Sequence, residues 1–303
     1  MKEAPENPIS ARIHDKMRRI EICSRRLSND SLHGGTRSRF RGRGMDFDEV
    51  REYEPGDDVR AIDWNATART GRVFVKKYRE ERQLTIVFVV DMSASGALGA
   101  GDVTKQEQAI EIAGVLALSA QSRDHRIGMT LFTDSVELFV PPARGRQHTM
   151  RLINELVTFR PKGRGTNLSL ALRSVRERLK KRAIVVVLSD FLLDKKDMDE
   201  SLPELHTLAQ RHDVVTIRTA DLNDRGFPSV GLVTLEDAET GEVVEVDTGN
   251  GTQRSHLEDA VRHSDERIRA LARSAHVDML ELDTLQPYIG SLVGFFRSRG
   301  ARS

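Results

Sequence analysis

From about residue 84 onward the chain alternates between short apolar runs and longer amphipathic stretches. Residues 84–90 and 183–188 are nearly unbroken β-branched and aliphatic runs of strand length, the pattern of strands covered on both faces. Residues 127–132, 136–140, 214–219 and 277–282 read as four further strands. Between them, residues 106–122 place Ile110, Ala113, Leu116, Ala117 and Ala120 at helical spacing, and helices are also expected at 149–157, 167–179, 198–211, 254–274 and 287–299. In the last of these, Tyr288, Leu292, Phe295 and Phe296 are expected to dock on the sheet. Strands separated by helices predict an α/β fold: a central, mostly parallel sheet with helices on both faces. Residues 232–246, broken at Ala238-Glu239-Thr240-Gly241, read as a β-hairpin inserted into that alternation.

The N-terminal part follows other rules. Ile9, Ile13, Met17, Ile20 and Leu27 lie near helical spacing with arginines on the opposite face, so a helix is expected there. Residues 28–44, rich in Ser, Gly and Arg, read as a loop or extended arm. Residues 45–82 carry turn signals at Glu54-Pro55-Gly56-Asp57 and Thr70-Gly71, and residues 71–78 alternate with period two, predicting a small β-rich region. Its single tryptophan, Trp64, is expected to anchor a satellite core. Three parts are therefore expected: a helix and arm over 1–44, the β-rich region over 45–82, and the α/β domain over 83–303, with the hairpin inserted at about 228–248.

Charge refines this picture only locally. The chain has 47 Lys and Arg against 46 Asp and Glu, a net charge of +1, which argues against a chain-wide nucleic-acid surface. Residues 1–44 nevertheless hold eleven basic and five acidic side chains, a local excess of six. Nucleic-acid binding through this arm is therefore one alternative function. A lone cysteine, Cys23, permits no intramolecular disulfide and suits a reducing, cytoplasmic location. No apolar run approaches the roughly 20 residues that a membrane-spanning helix requires. The nine histidines are scattered without zinc-ligand spacing.

In open α/β sheets ligands bind beyond the carboxyl ends of the strands, so the residues that follow each apolar run are the ones to inspect. Asp91-Met92-Ser93-Ala94-Ser95 follows the first buried strand, Gly163-Arg164-Gly165-Thr166-Asn167 precedes a helix, and Ser189-Asp190 follows residues 183–188. Carboxylates and hydroxyls from three loops are hard oxygen donors of low total charge, a set suited to Mg²⁺ and, second, to Mn²⁺. On an extended turn, Asp-x-Ser-x-Ser would direct Asp91, Ser93 and Ser95 to one side. Thr166 and Asn167 also suit a helix N-cap, a role compatible with ligation. The charged set Glu49, Arg51, Glu52, Asp57, Asp58, Arg60 and Asp63 reads as solvated ion pairs and turn caps sooner than as a binding face.

Enzyme signatures are sparse. A phosphatase of the haloacid dehalogenase kind needs a second carboxylate two residues after its nucleophilic Asp, where this chain has Ser93. The chain lacks the phosphate-cradling Gly-x-x-x-x-Gly-Lys-Ser/Thr loop and the Gly-x-Ser-x-Gly nucleophile turn. Arg164 and Lys162 lie near Thr166 without a base–nucleophile pair beside them. Mg²⁺-dependent phosphoryl transfer is thus the enzymatic alternative to a non-catalytic module.

Asp91, Ser93, Ser95, Thr166 and Asp190 resemble the complete metal-ion-dependent adhesion site (MIDAS) of von Willebrand factor A (vWA) domains. The order of elements from about Gln83, with an early hairpin, is similar to that family's Rossmann-like sheet with one antiparallel edge strand. The resemblance implies a divalent cation held by these five side chains, with an open position that accepts an acidic residue of a protein partner. Upstream, Arg41-Gly42-Arg43-Gly44-Met45-Asp46-Phe47-Asp48-Glu49-Val50-Arg51-Glu52-Tyr53, Pro55-Gly56-Asp57-Asp58-Val59-Arg60 and Ile62-Asp63-Trp64 resemble the signature of the DUF58 family. So do Val75-Lys76 and Glu80-Glu81-Arg82. That resemblance implies a partner of the MoxR-type AAA+ ATPase class, or its client, and an adaptor or chaperone-accessory role.

Overall fold

The structure is a computed structural model and describes residues 46–54, 57, 59, 62–79, 83–97, 99, 101, 103–221 and 229–302. The helix and arm expected within 1–44, and Cys23 with them, lie outside the described residues. Contacts divide the chain into two compact units, one ending at Leu84 and the other spanning Thr85–Arg302.

In the first unit, β1 (Asp46–Glu52) pairs antiparallel with β2 (Phe74–Arg79), and a short helix, α1 (Trp64–Thr70), lies between them in sequence. Asp63 caps α1, its side chain accepting from the amides of Asn65 and Ala66, and Gly71 ends it at φ +72°. Only a residue without a Cβ adopts that left-handed turn freely. Trp64 corrects the expectation made for it: it opens α1 and is 70% exposed, so it anchors no core. The buried apolar side chain described in this unit is Val75. Asp63 fits the capping role foreseen for the charged set, as does the exposed Arg72–Glu52 ion pair at 3.3 Å.

The second unit is built on six strands: β3 (Thr85–Asp91), β4 (Arg126–Phe132), β5 (Val136–Ala143), β6 (Ile184–Ser189), β7 (Asp213–Ala220) and β10 (Asp278–Asp283). Their order across the sheet is β10-β7-β6-β3-β4-β5, all parallel except β5, which runs antiparallel at the edge. The expected Rossmann-like, mostly parallel sheet with one antiparallel edge strand is thus observed. Helices α2 (Lys105–Gln121), α3 (Arg146–Thr158) and α7 (Ile289–Arg302) cover one face. Helices α4 (Leu168–Arg178), α5 (Lys195–Arg211) and α6 (Gly251–Ser274) cover the other.

Strand geometry explains why the apolar runs are unbroken. Side chains alternate across a strand, and each face of β3 meets a separate core. Phe88 and Val90 pack with Ile112, Leu152 and Leu292 on one side, whereas Val87 and Val89 pack with Leu172, Leu205 and Leu271 on the other. Tyr288 and Leu292 are buried in the first of these cores, with Phe295 and Phe296 packed against it.

From β3 the chain first builds outward through β4 and β5, then returns to place β6 on the other flank of β3. The carboxyl ends of β3 and β6 therefore flank the point where the direction of winding reverses, the crevice in which such sheets bind ligands. The hairpin β8 (Leu232–Glu236) and β9 (Val243–Asp247) forms a separate two-stranded sheet. It follows β7 in sequence and so departs from the same sheet edge. Thr248 closes its base: its amide donates to the Gly231 carbonyl at 2.8 Å, and its hydroxyl accepts from the Val230 amide.

Candidate metal centre

Asp91 is the last residue of β3, and its carboxylate is held from both sides. Oδ1 accepts from the Ser93 amide at 2.9 Å, and Oδ2 accepts from the Ser189 hydroxyl at 2.7 Å. Ser189 ends β6, so its hydroxyl ties the two central strand ends together. It also accepts from the Phe191 amide, which orients it. Beyond Asp91 the chain is not extended as the sequence suggested: Ala94–Ala97 forms a 3₁₀ turn. The two serine hydroxyls still converge, with Ser93 Oγ and Ser95 Oγ 3.1 Å apart and both buried.

Asp190 follows β6 and is buried. Its Oδ1 accepts from the Leu192 amide at 3.1 Å, and its Oδ2 lies 2.8 Å from the Lys105 ammonium. Both side chains of that ion pair are nearly sealed from water, at 3% and 2% exposed. Lys105 is the first residue of α2, which Thr104 and Glu107 open with a reciprocal capping box. A cation at a helix N-terminus opposes the helix dipole, so a carboxylate must be sought nearby, and Asp190 supplies it. Sequence reasoning passed over Lys105, although its unfavourable position was a readable signal.

Thr166 stands at the entrance of α4. Asn167 is the cap, its Oδ1 accepting from the Leu170 amide, while the Asp197 carboxylate from α5 accepts from the amides of Leu168 and Ser169 at 2.8 and 3.0 Å. With capping done by these two, the Thr166 hydroxyl is left to face the site. The preceding loop is moored by Glu137 of β5, which accepts from the amides of Lys162 and Gly163 and from the Thr133 hydroxyl. Burial pushes the Glu137 carboxyl up, but these donors and the Lys162 charge outweigh it and hold the group below its usual range. A Cβ at Gly163 would press on the side-chain oxygens of Thr133 and Asp134, so a larger residue there would have to displace them. The Ala94 amide donates to the Arg164 carbonyl at 2.9 Å, which links this loop to the serine turn.

A further acidic residue completes the cluster. Glu239, at the tip of the β8–β9 hairpin, accepts a 2.6 Å hydrogen bond from the Thr166 hydroxyl, and the Ser95 side chain is near enough to favour its charged form. Its only sequence signal was the position of the hairpin after a strand ending at the same sheet edge. Burial pushes its carboxyl above the usual range, and the charges of Asp190 and Asp237 add to that, against the pull of the two hydroxyls.

The donor set fits a hard divalent cation. When all are ionised, Asp91, Asp190 and Glu239 contribute three negative charges and Lys105 one positive, which leaves two negative charges for a cation to balance. Burial, and then the charge of Asp190, push the Asp91 carboxyl up to about 7, the behaviour of a buried carboxylate short of positive charge. Among the described residues no three His, Cys, Asp or Glu side chains form a metal cage by themselves, so hydroxyls would complete any coordination shell here. Among the same residues no helix is long and apolar enough to cross a membrane.

The family model described as "Protein of unknown function DUF58" matches residues 49–267. The uncharacterized protein Rv1480 of Mycobacterium tuberculosis is 30% identical over 285 residues, covering 93% of this chain and 88% of the relative. Among solved structures, the conserved hypothetical protein BatB from Bacteroides thetaiotaomicron aligns over 73% of this chain and 100% of its own, with a TM-score of 0.46 and 12% identity. The SpRpn10 VWA domain aligns over 70% of this chain and 95% of its own, with a TM-score of 0.39 and 11% identity. At such values these two likenesses concern overall fold at most. The family match covers both the charged region around β1 and the sheet that carries Asp91, Thr166 and Asp190, and the chain belongs to the DUF58 family.

Proposed function

We propose that the protein is a non-catalytic, metal-dependent protein-binding module. In this reading Asp91, Ser93, Ser95, Thr166 and Asp190 hold a divalent cation, Mg²⁺ or alternatively Mn²⁺, and the cation receives an acidic side chain of a partner. The reading is supported by two buried carboxylates, Asp91 at the end of β3 and Asp190 just after β6, at the winding reversal of the sheet, with the Ser93 and Ser95 hydroxyls 3.1 Å apart in the turn after β3. When bound, the ion supplies the missing positive charge and turns a carboxylate contact into a short, directional bond. The chain's own part is to orient the donors: Ser189 and the Ser93 amide fix Asp91, Lys105 and the Leu192 amide fix Asp190, and Glu137 holds the loop that carries Thr166.

The hydroxyls of Ser93 and Ser95 bond to each other, whereas nucleophilic catalysis needs a base beside the hydroxyl, and this favours the binding reading. Kinship with DUF58 proteins suggests a MoxR-type AAA+ ATPase or its client as the partner, and a cytoplasmic adaptor or chaperone-accessory role. Calorimetric titration of Mg²⁺ and Mn²⁺ into the wild type and Asp91→Ala tests the reading. Binding to the wild type that Asp91→Ala abolishes is expected, and identical titrations would overturn it. A tagged pull-down with and without EDTA then asks whether partner capture follows metal occupancy.

A further inference from the structure

The geometry points to Glu239 as an intramolecular acidic ligand: it holds the place that a partner's carboxylate would take, and makes the β8–β9 hairpin a latch over the metal centre. This inference rests on the metal-centre reading and adds regulation to it. Three observations carry it.

First, the Glu239 carboxylate accepts a 2.6 Å hydrogen bond from the hydroxyl of Thr166, one of the five candidate ligands, and a second of them, Ser95, is near enough to favour its charged form. Second, the tip is preformed to present it. Asp237 Oδ1 accepts from the amides of Glu239 and Thr240, and the Gly241 amide donates to the Asp237 carbonyl at 2.8 Å, with Gly241 at φ +75°. An Arg164 guanidinium nitrogen clamps the same tip through the Ala238 carbonyl at 2.9 Å. Third, the rest of the hairpin is lightly held. It is not hydrogen-bonded into the central sheet, and Leu232 and Val243 remain 68% and 59% exposed. Releasing the tip therefore breaks a few polar contacts and uncovers little apolar surface.

The exchange is also electrically neutral. An acidic side chain arriving from a partner replaces one carboxylate by another, so the charge balance of the site is kept. The latch then acts as a threshold. If the site is open only a tenth of the time, a carboxylate ligand binds about tenfold more weakly than to an unlatched site. The hairpin thus selects partners whose acidic residue is backed by further contacts.

The test uses the full chain. In a Cys23→Ser, Glu242→Cys background, a nitroxide on residue 242 reports hairpin mobility without any metal. E239A, and separately Arg164→Ala, should convert a restrained spectrum into a mobile one. Equal restraint in all three proteins overturns the latch, whatever the metal titrations give. In the second arm, with Mg²⁺ present, a capped synthetic peptide carrying one glutamate should bind E239A about tenfold or more tightly than the latched chain, and its glutamine counterpart should bind neither. Equal peptide affinity for the two chains, with Mg²⁺ still bound, would sink the latch and leave the metal centre standing. Failure of Mg²⁺ to bind the wild type would sink the metal centre, while the spectra still decide whether Glu239 pins the hairpin.

Discussion

The central sheet and the β8–β9 hairpin are both β-structure, yet they are stabilised in different ways. Every residue of β3 from Val87 to Asp91 is buried, and its apolar side chains feed two separate cores. The hairpin alternates in sequence much as a half-buried strand pair should, but Leu232, Val243 and Val244 remain exposed. A strand pair of that kind is marginal by itself. It keeps its place through its base at Thr248 and through polar contacts at its tip. Asp91 and Asp190 sit on the rigid part and Glu239 on the loosely held one. In the proposed reading, fixed ligands and an exchangeable ligand are thus separated by how deeply their supporting elements are buried.

Truncation should expose this contrast most strongly. Phe88→Ala is expected to cost about 3–5 kcal/mol, because a large side chain is removed from a close-packed site, whereas Leu232→Ser should stay within about 0.5 kcal/mol. Comparable losses by denaturant titration would erase the distinction drawn here. Lys105→Met should be as damaging as the core truncation, about 3–5 kcal/mol, since it leaves Asp190 buried without its partner charge. Mg²⁺ should restore part of that loss, and a melting temperature indifferent to Mg²⁺ would mean that Lys105 acts only through packing.

Excising the hairpin should matter far less. Gly231 and Thr248 are already hydrogen-bonded, so joining them to replace residues 232–247 is expected to lower the melting temperature by a few degrees at most, equivalent to about 1 kcal/mol. Loss of cooperative unfolding would show instead that the hairpin belongs to the core. The smallest effect concerns the loop that carries Thr166. Glu137 has a lowered folded-state pKa, so its contribution is present above the unfolded value near 4.5 and is lost as pH falls through the folded one. Glu137→Gln should therefore cost stability near neutral pH, and the gap to the wild type should close on acidification below about 4.5. A gap that stays constant in thermal melts down to pH 3 would remove the ionic part of that mooring.

Much of the frame was legible because burial writes itself into periodicity. The runs at 84–90 and 183–188 are nearly all apolar since both faces of β3 and β6 are covered, and the structure places both strands at the sheet centre. Asp91, Ser93, Ser95 and Asp190 could be singled out because ligand positions in such folds follow strand ends, which chain order marks, and Thr166 because it precedes a helix. The environment of Trp64 was not legible. An aromatic residue carries the same sequence signal whether a core covers it or a short helix leaves it 70% exposed. The serine turn likewise reads as extended from its spacing, while in the structure it winds into a 3₁₀ turn that still brings the hydroxyls together.

The sequence by itself thus determined the alternation of strand and helix, the two-sided core and the loops from which oxygen donors could come, because each of these is a local pattern. Only the tertiary structure decided which charges meet. Lys105 reaches Asp190 across 85 positions, and Glu239 reaches Thr166 across 73. Pairings over such separations depend on strand order and on the direction of winding, which no window of neighbouring residues encodes. The physical reason is that hydrophobic burial is additive along the chain and so leaves a periodic trace. An electrostatic contact depends on one distance in space, and the fold alone sets that distance.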